Sequence, residues 1–232
     1  MLLKNLLKWY TVFMKAYLFR AFDLIFGTFL FAIGVVTTVR ANVGYAPWEV
    51  FHVGFATTVG INLGLTTIIT GVFVFIFVLI AKEKFGLGTL VSVFLTGSFI
   101  DLIIMIDVIP VAPNYAIGIA MLLAGLYILS VGTYFYIKCA FGAGPRDSLM
   151  VVIRRKTKLP IGVCRGLLEL TVTIAGWFLG GMVGLGTIVS VFGLGLFIQL
   201  TFHMFKFDAA KVQHETILQT CRGIRDSLRK KH

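Results

Sequence analysis

Long apolar windows fill this chain, and short polar or glycine-rich breaks separate them. Leu24–Val39, Leu65–Ala81, Leu90–Ile106, Ala116–Ile137, Leu167–Val183 and Thr187–Phe202 each come close to the ~20 apolar residues that cross a bilayer core. Before them, Leu3, Leu6, Leu7, Tyr10 and Met14 recur at helical spacing, with Lys4, Lys8 and Lys15 between. This pattern predicts an amphipathic helix in the interface over 1–16. It lacks a compact apolar run ending in a small-residue cleavage site, so it is not expected to be a cleaved signal. After the windows, Ile217, Cys221, Ile224 and Leu228 share one face amid Lys211, Arg222, Arg225, Arg229, Lys230 and Lys231. Residues 206–232 therefore read as a basic cytoplasmic tail, either resting on anionic lipid heads or frayed.

Much of the pattern occurs twice. Gly86–Phe94 reads GLGTLVSVF and Gly184–Phe192 reads GLGTIVSVF. The same offset carries Gly27 onto Gly125, Gly34 onto Gly132, Gly44 onto Gly142, Pro47 onto Pro145, Gly64 onto Gly162 and Gly97 onto Gly195. The expected fold is an all-α polytopic membrane helical bundle of two repeats, 17–110 and 111–205. Each repeat divides into helix A (18–40 and 116–138), a short segment B (47–59 and 145–157), helix C (64–81 and 162–180) and helix D (88–106 and 186–204). Segment B would extend only ~20 Å as a helix, short of a ~30 Å core. If B does not cross, each repeat makes an odd number of spans and the second copy is inverted. The chain then has six spans plus two short non-crossing helices.

Loop charges agree with that topology. With the basic N-terminus inside, Lys82 and Lys84 fall inside, as do Arg154, Arg155, Lys156, Lys158 and the tail. Loop 107–115 and loop Gly180–Gly184, which carry no Lys or Arg, fall outside. A crossing B would put Lys82 and Lys84 outside, so the inverted arrangement is preferred. Composition excludes a soluble domain: 58% of residues are hydrophobic, 13% are charged, and mean hydropathy is +0.96. The net charge of +11 sits at the ends and in short loops, so it points to cytoplasmic flanks rather than nucleic acid. Cys139, Cys164 and Cys221 give neither a disulfide framework nor a metal spacing.

The turn before B is the strongest candidate site. It reads Gly44-Tyr45-Ala46-Pro47-Trp48-Glu49 in one copy and Gly142-Ala143-Gly144-Pro145-Arg146-Asp147 in the other. Proline suits the first turn of a helix, and a carboxylate there meets the positive end of the dipole. Paired helix starts of this kind often build the central site of inverted-repeat transporters, where free N–H groups meet substrate. The plainer reading is a structural turn with B lying flat at the interface. Arg40 and Lys138 are repeat-equivalent and close helix A and its copy; snorkelling anchors are the weightier reading, substrate contact the sharper one. Asp101 lies within helix D opposite Gln199 in the other copy, and is too short to snorkel far. Glu169 lies one turn from Arg165, so the two could satisfy each other. Thr89 and Thr187 are expected to cap helix D. Ser92 and Ser190 belong to a small-residue face that suits packing between the halves or, alternatively, a polar path. His52 could carry protons but reads more plainly as an interfacial histidine. No Walker, GxSxG or HExxH motif occurs, so neither an enzyme nor a bound cofactor or metal is expected.

The ordered pattern Gly44-xx-Pro47-Trp48, Gly86-x-Gly88-Thr89 and Gly97-xxx-Asp101, repeated as Gly144-Pro145-Arg146-Asp147 and Gly184-x-Gly186-Thr187, resembles the bacterial YczE/YyaS/YitT-type integral membrane proteins, and most of all their YczE branch. The resemblance covers about 20–204. It implies a bacterial cytoplasmic-membrane protein and no specific binding residues. The residues themselves point to a small-solute transporter or exporter with a site near Arg40, Pro47, Trp48, Glu49, Asp101, Pro145, Arg146 and Asp147. Its substrate would be anionic or zwitterionic. The alternative is a non-transporting scaffold or accessory factor whose tail docks a cytoplasmic partner.

Overall fold

A computed structural model describes residues 2–81, 86–142, 144–209 and 212. Among these residues the chain is helical throughout its regular structure. The elements are α1 (Leu2–Arg40), α2 (Pro47–Val59), α3 (Leu63–Ile80), α4 (Leu87–Ile106), α5 (Tyr115–Lys138), α6 (Pro145–Thr157), α7 (Ile161–Phe178) and α8 (Leu185–Met204). Tyr17–Arg40, Leu63–Ile80, Gly88–Ile106, Tyr115–Lys138 and Leu185–Met204 are long and apolar enough to span a bilayer. A sixth candidate is the pair Ser148–Thr157 and Gly162–Phe178, bent by 114°. The segment expected as a separate interfacial helix over 1–16 is, from Leu2, continuous with the first span. No glycine or proline interrupts the run between Leu2 and Phe26, so nothing breaks the helix there. The basic tail beyond 212 and the pair Lys82 and Lys84 lie outside the described residues.

The paired short helices form where glycine and proline predict them. Pro47 and Pro145 stand at the start of α2 and α6, each after an extended residue: Ala46 at φ −65° and Gly144 at φ −59°. Gly44 and Gly142 hold φ of 109° and 143°, a region that residues with a Cβ resist. Thr187 occupies the third position of α8 rather than the cap itself; its hydroxyl accepts the Gly184 N–H at 3.1 Å. Asn114 caps α5 by accepting the Ile117 N–H at 2.9 Å.

The core is the crossing of α1 and α5, which run antiparallel. Gly27 lies against Gly132 and Tyr136, Gly34 against Gly125 and Leu129, and Gly118 against Ala41. A Cβ on Gly34 would fall 2.7 Å from the Leu129 backbone nitrogen. Small residues are thus required for two backbones to come this close. Under the repeat offset the Gly27–Gly132 contact becomes the Gly125–Gly34 contact, so the crossing maps onto itself.

The remaining packing exchanges in the same way. α1 packs on α4 as α5 packs on α8, and α2 of the first copy packs on α7 of the second as α6 packs on α3. Gly186 donates to the Val43 carbonyl at 2.8 Å, and its equivalent Gly88 donates to Phe141 at 3.0 Å. The helices also sort their charges. Arg155 donates to the Ala81 carbonyl and Lys156 lies 5.9 Å over the Phe77 ring, which brings the Arg154–Lys158 cluster beside the C-terminal end of α3. At the opposite end of the bundle Arg40 meets Asp107 at 2.7 Å, and the Ala112 N–H donates to the Arg40 carbonyl.

Candidate functional site

A cavity of about 220 Å³ lies at the centre of the bundle, and every helix contributes to its wall. α1 supplies Thr28, Phe31 and Val35, and α5 supplies their repeat equivalents Leu126, Leu129 and Thr133. α4 gives Ser92, Val93 and Ile100, matched by Ser190, Val191 and Ile198 of α8. α2 gives Pro47, Trp48, Glu49 and His52, while α6 gives Pro145, Arg146 and Met150. Thr67, Thr70 and Gly71 of α3 answer to Arg165, Leu168 and Glu169 of α7. The cavity therefore sits where the two copies face each other, and its wall is built twice from the same positions.

The chemistry of the two copies has diverged. The first copy brings Trp48, the buried Glu49 and the buried His52. The second brings Arg146, Arg165 and Glu169 to the wall. The Arg146 guanidinium lies 3.6 Å from Glu49 Oε1 and 4.6 Å from the centre of the Trp48 ring. These three residues come from the two paired helix starts, so the turns predicted as a site do meet across the halves. Stacking on an aromatic face suits the flat guanidinium, and the carboxylate offsets its charge. Arg165 and Glu169 pair at 2.8 Å, as their i,i+4 spacing predicts. His52 Nδ1 lies 3.4 Å from the Thr67 hydroxyl. The cavity thus holds two cations, two carboxylates and the His52 imidazole on an otherwise apolar and hydroxyl-lined wall.

Of the candidate site residues, Pro47, Trp48, Glu49, Pro145 and Arg146 line the cavity. The Asp147 side chain lies outside the described set. Two candidates lie elsewhere. Arg40 closes α1 and pairs with the exposed Asp107, an anchor at the bundle's end rather than a wall residue. Asp101 faces α3: its Oδ1 accepts the Gly64 N–H at 2.7 Å and its Oδ2 accepts the Leu65 N–H at 3.2 Å. It therefore satisfies the open N-terminus of a neighbouring helix. Lys138 closes α5 and meets Asp23 at 3.1 Å.

Several wall residues were missed or given a lesser role. His52 is buried and lines the cavity. Ser92 and Ser190 both line the cavity, while their neighbours Gly88 and Gly186 make the close contacts between halves. The i,i+4 spacing of Arg165 and Glu169 predicts a mutually satisfied pair and does not by itself place them at a site. The available signal is the difference between copies: Thr67 and Gly71 hold the equivalent positions, so the two charges stand in one copy only. Among the described residues, no group of three His, Cys, Asp or Glu is placed to hold a metal ion.

Apolar spanning helices around a shared central cavity define a polytopic helical membrane protein. The chain belongs to DUF6198, a family of unknown function whose model matches residues 18–203. It is 32% identical over 177 residues to the uncharacterized membrane protein YczE of Bacillus subtilis, covering 75% of this chain and 81% of that protein. An uncharacterized protein of Haemophilus influenzae is 33% identical over 178 residues, covering 76% of this chain and 80% of its own. The uncharacterized protein YyaS of Bacillus subtilis is 26% identical over 168 residues, covering 71% and 83%. No solved structure matches this chain.

Proposed function

We propose that this protein is a small-solute transporter built as an inverted repeat, and that the central cavity holds its substrate. One observation carries the reading: equivalent positions of both copies converge on one cavity that also gathers Arg146, Arg165, Glu49 and Glu169. A binding site shared by two inverted halves can be reached from either side as one half rocks on the other. The antiparallel crossing of α1 and α5 and the exchange of contacts between copies support that inversion.

Ionisable groups inside a membrane are costly and mark substrate paths. Two cations and two carboxylates in a small cavity suit an anionic or zwitterionic solute, whose charges can be met by one member of each pair. The volume is below that of pockets for drug-sized ligands, about 300–1,000 Å³, and favours a compact metabolite. With cationic loops inside, both termini lie in the cytoplasm of a bacterial cell and the protein resides in the cytoplasmic membrane.

The test is uptake into proteoliposomes of a panel of labelled amino acids and small carboxylic acids. Wild-type protein is expected to accumulate at least one of them. Arg146→Ala combined with Glu49→Gln, which leaves no lone buried carboxylate, is expected to lose that uptake while eluting as a folded species. Normal uptake by the double variant would remove Arg146 from the site.

A further inference from the structure

The two copies hold different conformations. In the first, α3 lies along α4 and two glycines are pressed together. A Cβ on Gly97 would fall 2.5 Å from the Gly64 carbonyl oxygen. Asp101, one turn along α4, closes the contact by accepting the N–H groups of Gly64 and Leu65. In the second copy the same residues stand at the same positions, Gly162 on α7 and Gly195 on α8. There a Cβ on either would meet nothing within 4 Å. Gly166 has the same open space, and Gln199, at the position of Asp101, is exposed. Among the described residues α7 has no packing on α8 comparable with that of α3 on α4.

Glycine within a helix destabilises it unless its small size is used. Gly64 and Gly97 use theirs in this conformation, whereas Gly162 and Gly195 do not. A state in which α7 closes on α8 would use them, and its template is already present in the other half of the molecule.

We propose that α3–α4 and α7–α8 are the two gates of the central cavity, that this structure holds the first shut and the second open, and that Asp101 and Gln199 are their latches. In the exchanged state Gly162 meets Gly195, the Gln199 amide oxygen accepts an N–H at the start of α7, and α3 leaves Asp101. The inference rests on the transporter reading and gives it a direction. Gly64 and Asp101 lie at the end of the bundle away from the cationic loops, while Gly162 follows the Arg154–Lys158 cluster. The described state is then open to the cytoplasm. The latches are unequal. A carboxylate accepts N–H groups more strongly than an amide oxygen does, which favours closure of α3–α4 in the absence of substrate.

Cross-linking in membranes tests this, with Cys139, Cys164 and Cys221 replaced and Thr96→Cys added as a probe on the cavity wall. Gly71→Cys with Val93→Cys spans the closed gate, where the two Cβ positions lie 3.4 Å apart, near disulfide reach. Gly166→Cys with Gly195→Cys spans the open one. Locking the first pair should leave the Thr96→Cys thiol reactive to a membrane-impermeant maleimide from the cytoplasmic side alone. Locking the second should make it reactive from outside alone. Asp101→Gln with Gln199→Asp exchanges the latches and should raise cross-linking of the second pair on the order of tenfold. Gly195→Leu should abolish outside labelling, because the exchanged state has no room for it.

Both cross-links forming in one molecule, or an exchange of latches that leaves sidedness unchanged, would overturn the gates. If a cysteine pair fails to insert, the latch exchange with the Thr96→Cys probe alone decides. The two readings fail separately. Gates that alternate in a protein that takes up no solute would remove transport and keep the switch. Uptake by a protein whose Thr96→Cys thiol always stays one-sided would remove the gates and keep transport.

Discussion

Charged residues in this protein find three different answers to the cost of apolar surroundings. Arg40 sits at a helix end and meets an exposed carboxylate, so it needs little from the fold. Asp101 is met by backbone N–H groups of a neighbouring helix. Arg146 depends on residues from the other copy, Glu49 and the Trp48 ring. That dependence can be measured without knowing the substrate. In a double-mutant cycle of Trp48→Leu and Arg146→Met, unfolded by dodecyl sulfate, the coupling is expected at about 1 kcal/mol. Strictly additive effects would mean the ring contact contributes nothing to stability. The sequence could not reveal this contact, because Trp48 and Arg146 are equivalent positions in separate copies. Nothing in their spacing states that equivalent positions meet. By contrast the Arg165–Glu169 pair was legible, since both partners lie on one helix at a spacing that fixes their separation.

At the scale of elements, glycine placement governs what can pack. α2 and α6 begin at Pro47 and Pro145 and end at Val59 and Thr157, as their turns and composition predict. These boundaries were legible because proline and glycine act locally. The continuation of α1 back to Leu2 was not, because a change of hydrophobic pattern marks a change of surroundings rather than a break in the helix. The α1–α5 crossing offers a direct contrast between glycines. Gly34→Ala would place a methyl 2.7 Å from the Leu129 backbone nitrogen, and overpacking of this kind typically costs about 1–3 kcal/mol. Gly166→Ala meets nothing within 4 Å and should gain up to about 1 kcal/mol from helix propensity. Thermal unfolding in detergent should therefore fall for the first and hold or rise for the second. Equal melting of both variants would mean that the close crossing of α1 and α5 is not what holds the bundle together.

At the scale of the molecule, the duplication was legible but the conformational difference between its copies was not. Gly64 and Gly97 recur as Gly162 and Gly195, so the sequence is symmetric where the packing is not. The proposed orientation in the membrane rests on charge alone, whereas packing gives an independent reason to expect the cationic segments at one end of the bundle. The Arg154–Lys158 cluster packs beside the end of α3, next to Lys82 and Lys84 in sequence, while Arg40 meets the loop from Asp107 to Ala112 at the opposite end. Single cysteines at Lys84, Lys156, Asn114 and the exposed Val183 on a cysteine-free background test this. The first two are expected to label only when the cytoplasmic face is exposed, and the last two only from outside. Labelling of Lys84 and Lys156 from opposite faces would contradict the inversion, because the Arg154–Lys158 cluster packs beside the end of α3 that Lys84 follows in sequence. Labelling of all four from the reversed faces would keep the inversion and turn the whole protein over. The gate proposed between α7 and α8 would then face outward, and the proposed transport would start from the other side.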